Sequence, residues 1–524
     1  MTLSTKNRER KPQHDRPIGW IIGALMLSML MSSLGQMIFS TALPTIVGSL
    51  GGVNHMSWVI TAFLLGQTIA MPLFGKMGDL INKKSLFLFA NALFMAGSLL
   101  GGLANSMSVL ITARAIQGVA GGASMVLSQA ITAEVTSARE RGKYMGLMGM
   151  VFGVSSVLGP VIGGWITDGP GWRWGLWFNL PIGAVSIVAI ALLLRLPSAK
   201  RDFRLDWWGA LAMALATTSL VLSVTWGGHD YAWSDPVIIG LLLCTLVFTV
   251  LFVFIELRVP DPIIPLTLFK NRNFVLTTGA GLSVGIIMFG SMAYLPTYLQ
   301  MVHHMTPTKA GLIMISMMGG LIAASIAVGN LVAKTGRYKI FPLIGQVITS
   351  IALVLLGSLS FDDSLVRVCC YLFAFGVGIG STVQILVLIV QNSFPLSSVG
   401  TATGTNNFFR QVGGAVGAAF IGSIFLSNLS HQMSTYLPPS IEQAMRLGED
   451  PAQFHILESS GKLTPAVVAS LPDLIKNAIA VSYNDALTPV FLLIAPISLV
   501  AVVLLSLIKE QKLAETIETI KPKT

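Results

Sequence analysis

The sequence predicts an all-α polytopic membrane protein with fourteen spans: two six-helix bundles and two additional transmembrane helices between them. Three observations lead there. Of 524 residues, 53% are hydrophobic and only 11% charged, where a soluble globular chain carries roughly a quarter charged residues, and mean hydropathy is +0.75. Fourteen stretches approach the roughly 20 apolar residues that a helix needs to cross a bilayer; they begin near Gly19, Trp58, Ser85, Val109, Gly142, Trp174, Trp207, Pro236, Phe274, Ala310, Ile340, Leu365, Gly400 and Thr488. Finally, the glycine pattern of the first six spans returns in the last six.

The distribution of positive charge tests the count. If the N-terminus is cytoplasmic, one side receives Lys76, Lys83 and Lys84, then Arg139, Arg141 and Lys143, then Arg195, Lys200, Arg201 and Arg204, then Arg258, Lys270 and Arg272, then Lys334, Arg337 and Lys339, together with both basic tails. The other side receives only Arg173, Lys309, Arg367, Arg446, Lys462 and Lys476. Cytoplasmic loops carry the lysine and arginine excess, so an error of one span would invert every later loop and erase the asymmetry. The expectation is a multi-pass plasma (inner) membrane protein with both termini inside. Its net charge of +10 is orienting loop charge and does not point to nucleic acid.

In order along the chain, residues 1–17 form a basic tail with no short apolar core and cleavage site, so we read it as a retained tail and not a signal peptide. Residues 18–196 form the first bundle, 197–257 the two additional helices, 258–508 the second bundle with an outer loop at 427–485, and 509–524 a second tail. The repeat supports this division. Gly118, Gly122, Gly142, Gly146 and Gly159 match Gly376, Gly380, Gly400, Gly404 and Gly417 at one constant shift of 258 (376 − 118), and the Gly75–Lys84 turn has a counterpart at Gly329–Lys339. Two parallel halves of six helices are a transporter layout.

Four groups of residues are functional candidates. Gly75, Gly78, Asp79, Lys83 and Lys84 form the turn after span 2; a carboxylate there can bond the amides at a neighbouring helix N-terminus and release them in another conformation. In span 4, Arg114, Gln117, Gly118, Gly121, Gly122 and Met125 share one helical face, and an arginine inside a span is a functional candidate by default. Span 5 carries Gly153, Gly159, Pro160, Gly163 and Gly164, which permit a bend and close packing. Polar, aromatic and methionine side chains within spans are candidates to line a substrate cavity: Gln36, Gln67, Gln117, Met288, Phe289, Tyr294, Tyr298, Gln384, Asn407 and Arg410. No enzyme signature accompanies them. The seven histidines lie in the tail, in loops or at span ends, and the chain has no Walker loop or Ser/His/Asp arrangement. The three cysteines lack metal-ligand spacing.

These motifs together resemble those of the fourteen-span drug:proton antiporters of the major facilitator superfamily, over nearly the whole chain. That family's cytoplasmic loop motif is similar to Gly75–Lys84. Its span-4 arginine motif is similar to Arg114-Ala-Ile-Gln-Gly-Val-Ala-Gly-Gly122, and its antiporter signature to Gly153-x5-Gly-Pro-x2-Gly-Gly164. The tracts Trp172-Arg-Trp-Gly-Leu-Trp-Phe-Asn-Leu-Pro-Ile-Gly183, Asp206-Trp-Trp-Gly209 and Tyr294-Leu-Pro-Thr-Tyr-Leu-Gln300 also look typical. The resemblance implies a multidrug or toxic-compound exporter that works by alternating access. Its partners would be amphipathic small molecules, protons and membrane lipids, with the proton gradient as energy source, no cofactor, and a monomer as the working unit. Arg114 matches the family's proton-linked arginine and Asp79 its loop aspartate; Asp79 and Glu134 are the nearest titrating candidates. The sequence departs from the pattern at Gly35, where many members carry a span-1 aspartate, at Leu80, where the loop arginine is usual, and at Asn82, where a glycine is usual. An acid-poor interior with Arg114 and Arg410 leaves a second expectation: export of an endogenous lipid, peptide or anionic metabolite by the same fold.

Overall fold

The computed structural model describes residues 18–50, 55–196, 205–228, 230–447, 467–468 and 471–516. The expected tail at 1–17, residues 517–524 of the expected tail at 509–524, and the centre of the expected outer loop lie outside these residues. The helices are α1 (Ile18–Leu50), α2 (Met56–Leu80), α3 (Lys83–Gly102), α4 (Met107–Val135), α5 (Ala138–Asp168), α6 (Arg173–Trp177), α7 (Asn179–Leu193), α8 (Trp207–Trp226), α9 (Pro236–Glu256), α10 (Arg272–Val302), α11 (Pro307–Thr335), α12 (Ile340–Gly357), α13 (Leu365–Asn392), α14 (Val399–Arg446) and α15 (Asp473–Ser506). With α6 and α7 taken as one span, fourteen helical segments among the described residues are long and apolar enough to cross a membrane.

Local chemistry sets many of the helix starts. Asn82, Ser106, Ser137, Asp206, Asp235, Asn271, Thr306 and Ser364 each precede a helix, and each side chain accepts a hydrogen bond from an amide of the first turn. The start of α14 differs: Ser398 makes no side-chain cap. In the stretch expected as an outer loop, 427–485, regular structure reaches further than apolar composition suggests. Helix α14 continues through Pro438 and Pro439 to Arg446, and α15 begins at Asp473. Hydropathy locates the part of a helix that lies in lipid; it carries no signal for a helix that continues beyond it.

The repeated glycines have equivalent neighbours in the two halves. A Cβ on Gly118 of α4 would run into the carbonyl of Phe63 on α2, and one on Gly122 into that of Gln67. In the second half, Gly376 and Gly380 of α13 face the carbonyls of Met317 and Leu321 on α11 in the same way. Helices without side chains at such points approach backbone to backbone, which stabilises helix pairs in a medium where apolar burial offers no advantage over lipid. One buried apolar cluster centres on Leu25, Phe87, Leu127 and Met148, and a larger one on Ile287, Leu321, Leu353, Ile389 and Phe491. Helices α8 and α9 pack on each other, and α8 also touches α2 and α14. Helix α9 buries only Ile238 and Glu256, so nearly all of its surface is available to lipid.

Candidate functional site

A central cavity of about 100 Å³ lies where the halves face each other. Helices α1, α2, α4 and α5 contribute Met29, Ser32, Ser33, Gln36, Gln67, Met125, Met148 and Phe152. Helices α10, α11, α13 and α14 contribute Met288, Phe289, Leu321, Ser325, Ile379, Val383, Gln384, Arg410 and Gln411. The wall is thus methionine, phenylalanine and aliphatic surface with a few amides and hydroxyls, and among the described residues its sole charged side chain is Arg410. Four buried polar atoms on it have no partner among the described residues: Ser33 Oγ, Gln67 Oε1, Gln384 Oε1 and Arg410 Nη1. Such atoms call for water or an occupant.

Arg114 sits elsewhere. It is 1% exposed and lies within the first half, with its guanidinium between the rings of Phe39 and Phe63, 4.2 and 4.3 Å from their centroids. Nη1 donates to the Gly35 carbonyl at 3.1 Å and to Gln117 Oε1 at 3.0 Å, and Nε donates to the Val59 carbonyl at 3.4 Å. Gln117 Nε2 donates in turn to Ser98 Oγ, which also accepts from Asn179 Nδ2. The buried cation is therefore held by carbonyl dipoles and two aromatic faces, without a carboxylate among these contacts. The backbone oxygen of Gly35 is one of its acceptors, at the position where the resembling family often has an acid.

At one end of the molecule the halves meet through paired helix termini. Asp79, whose side chain is 4% exposed, accepts from Gly400 N at 3.0 Å, Thr401 N at 2.7 Å and Thr401 Oγ1 at 2.8 Å. It thereby caps the N-terminus of α14, which Ser398 leaves open. Lys83 lies 3.5 Å from Asp79 and 2.6 Å from Glu134, so one ammonium bridges the two carboxylates. On the other side, Arg139 donates to the carbonyls of Ala333 at 2.9 Å and Lys334 at 2.7 Å in the last turn of α11, an arrangement that suits the negative end of a helix. Four glycines allow this contact: Gly75 lies against Gly400, and Gly142 against Gly329 and Val332. Deeper in, Gln129 of α4 accepts through its side chain from Asn407 at 2.7 Å and through its carbonyl from Gln391 at 3.1 Å.

The sequence matches the Major Facilitator Superfamily model over residues 25–418. The chain belongs to the major facilitator superfamily. It is therefore a membrane transporter and not an enzyme. It is 36% identical over 499 residues to an uncharacterised major-facilitator-type transporter of Mycobacterium tuberculosis, covering 94% of this chain and 70% of that protein. It is 34% identical to the multidrug transporter protein MdtP of Bacillus subtilis (80% of this chain, 78% of that one). It is 31% identical to multidrug resistance protein 3 of the same organism (93% and 94%). The structure of the human organic anion transporter MFSD10 superposes with a TM-score of 0.58 at 16% identity, covering 92% of this chain and 99% of that one; that likeness concerns the fold alone.

In this superfamily member, the residues singled out from the sequence fall into separate places. Gln36, Gln67, Met288, Phe289, Gln384 and Arg410 line the cavity. Gln117 belongs to the Arg114 network, Asn407 bonds Gln129, Tyr294 donates to the Ala418 carbonyl, and Tyr298 donates to Asn484 Oδ1. Asp79, Lys83 and Glu134 come together, whereas Lys84 reaches the Ala191 carbonyl. In span 5, Gly153 packs on Ile322 of the other half and Gly159 on Met37 of α1, while Gly164 has open space around it. Pro160 lies within the unbroken α5, and the Gly163 carbonyl accepts from Thr167 Oγ1. Gln129 escaped the sequence reading, and Arg139 was read only as orienting loop charge. Arg139 had a signal, a charge in the first turn after Ser137, but its acceptors lie 194 and 195 positions away.

Proposed function

We propose that this chain exports amphipathic small molecules across the plasma membrane by alternating access, in exchange for protons, in the manner of a multidrug efflux pump. The central cavity between the halves carries this reading: it is walled mainly by apolar and methionine side chains with a few convergent polar groups. Two Bacillus subtilis relatives named for multidrug transport and resistance support it. In the proposal, residues 18–196 and 258–508 rock against each other as bundles, with both termini cytoplasmic and a single chain as the transport unit. The conformation described is the one sealed at the basic end, which we assign to the cytoplasm.

Proton coupling is assigned to the Asp79–Lys83–Glu134 cluster. A proton on Asp79 removes the charge that strengthens its bonds to α14, and a hydrogen bond to a charged group is worth about 1.5–3 kcal/mol. Loss of two or three such bonds is enough to shift a two-state equilibrium between a sealed and an open basic end. Arg114 acts in this scheme as the fixed positive centre of the first bundle. The deciding experiment is efflux of a panel of fluorescent amphiphiles from proteoliposomes, with and without an imposed pH gradient. Gradient-dependent efflux is expected; efflux that ignores the gradient removes proton exchange from the proposal.

A further inference from the structure

We infer that the cavity selects amphipathic organic anions, and that Arg410 is the residue that receives their acid group. The inference rests on the export reading above and narrows its substrate class.

Arg410 is 5% exposed. Its Nη1 is buried without a hydrogen-bond partner, and among the described residues no carboxylate and no aromatic ring holds its guanidinium. The contrast with Arg114 is informative. Both are buried arginines, but Arg114 is enclosed by three oxygen acceptors and two phenylalanine rings, whereas Arg410 borders empty space. A buried charge needs a counter-charge or a set of acceptors. Water can hydrate a guanidinium in an empty cavity. An occupant with an apolar body displaces that water, so its own head group must take over the vacated bonds. The planar fork of arginine matches carboxylates, sulfonates and phosphates in two-point contact.

The remaining wall agrees. Among the described residues no aspartate or glutamate lines the cavity, so an organic cation would meet Arg410 in a low-dielectric space with no described carboxylate to offset the repulsion. Met29, Met125, Met148 and Met288 offer a deformable apolar surface for varied ligand bodies. Gln67 Oε1 and Gln384 Oε1, buried without partners, can accept from hydroxyl or amide groups on the same ligand.

The test uses the full-length protein in proteoliposomes with two radiolabelled probes: taurocholate, an amphipathic sulfonate, and ethidium, an amphipathic cation. Wild type is expected to move taurocholate and to discriminate against ethidium. Arg410→Gln should lower taurocholate transport by about tenfold or more, as expected when a charge-assisted contact is removed, while Arg410→Lys retains part of it. Gln384→Glu adds a carboxylate to the wall and should shift the ratio toward ethidium. This gain guards against a merely misfolded Arg410 variant. Transport of ethidium in preference to taurocholate overturns the anion inference and leaves the export reading standing. So does a taurocholate rate unchanged in monodisperse Arg410→Gln protein. Movement of neither probe, nor of the wider amphiphile panel, overturns both.

Discussion

Asp79, at the end of α2, and Thr401, in the first turn of α14, stand 322 positions apart, and Thr401 donates both its N–H and its hydroxyl to the Asp79 carboxylate. An N-terminal cap is ordinarily supplied by the residue just before the helix. Here it comes from the opposite half of the transporter, because Ser398 makes no such bond. The partner contact uses the other helix end: Arg139 takes two carbonyls of the last turn of α11. One half thus supplies an anion to a helix N-terminus and a cation to a helix C-terminus of the other. The fourfold glycine contact beneath them keeps these charges within bonding distance.

Replacing Asp79 by Asn preserves shape and removes charge. The sealed basic end is expected to lose about 1 kcal/mol for each bond that falls from charge-assisted to neutral strength, and to be populated less. Electron–electron distance measurements between spin labels on the α2–α3 turn and the start of α14 check this. A distance distribution identical to wild type would contradict the role given to Asp79.

Gly75→Ala tests the closure itself. A Cβ there would stand 2.5 Å from the Gly400 carbonyl oxygen, and both atoms belong to rigid helices. The variant is expected to insert normally, to leave the basic end apart, and to lose transport. Gly164→Ala is the control, since nothing lies within 4 Å of that position, and its transport rate should match wild type.

Arg114→Lys is expected to fail although it conserves the charge. An ammonium cannot lie flat between Phe39 and Phe63 while donating to three acceptors. Each buried acceptor left without a donor costs roughly 1–3 kcal/mol. Thermal unfolding in detergent should show a lowered Tm for the lysine variant and a larger drop for Arg114→Ala; wild-type stability in both would refute this account of the network.

The segment after α15 lies across the same basic end. Glu510 accepts from the amides of Tyr338 and Lys339, Gln511 N donates to Tyr338 Oη, and Glu515 pairs with Arg139. Removal of residues 510–524 is expected to raise hydrogen–deuterium exchange in the α11–α12 turn and in the first turn of α5, with little change in α3. Unchanged exchange at those turns would remove the segment from the closure.

Beyond the far end of α10, His303 stacks edge-on against Tyr298 at 5.8 Å. Burial, and then the neighbouring His304, hold its pKa below the ordinary histidine range, against an opposite pull from Asp363. The folded protein thus favours the neutral ring. The stability this contributes is present above the ordinary value of about 6.5 and is lost as pH falls below it through the lowered folded value. Between pH 7.5 and 5.5, the Tm of wild type should fall more than that of His303→Asn, and parallel curves would dismiss the effect.

Much of the architecture was legible in the amino-acid order. Apolar length marked the fourteen spans, and one constant shift in glycine position exposed two equivalent halves, because both properties are local or periodic along the chain. The motif around Gly75 to Lys84 offered a carboxylate that could meet a helix end, and Asp79 bonds the first turn of α14. Which helix it meets was not legible. Asp79 and Thr401, Asn407 and Gln129, and Arg139 and Ala333 are joined across the bundle, and nothing in either neighbourhood names the other. The same limit separates the two arginines. Periodicity placed Arg114 on a polar helical face, and Arg410 stood among the polar side chains within spans, but neither placement states what the side chain faces. The tertiary structure decided it: α1 and α2 close with their backbone carbonyls and two phenylalanine rings around Arg114 of α4, while the facing surfaces of both halves leave Arg410 at the edge of a cavity, because a side chain's electrostatic environment is assembled from residues that only folding brings within a few ångströms.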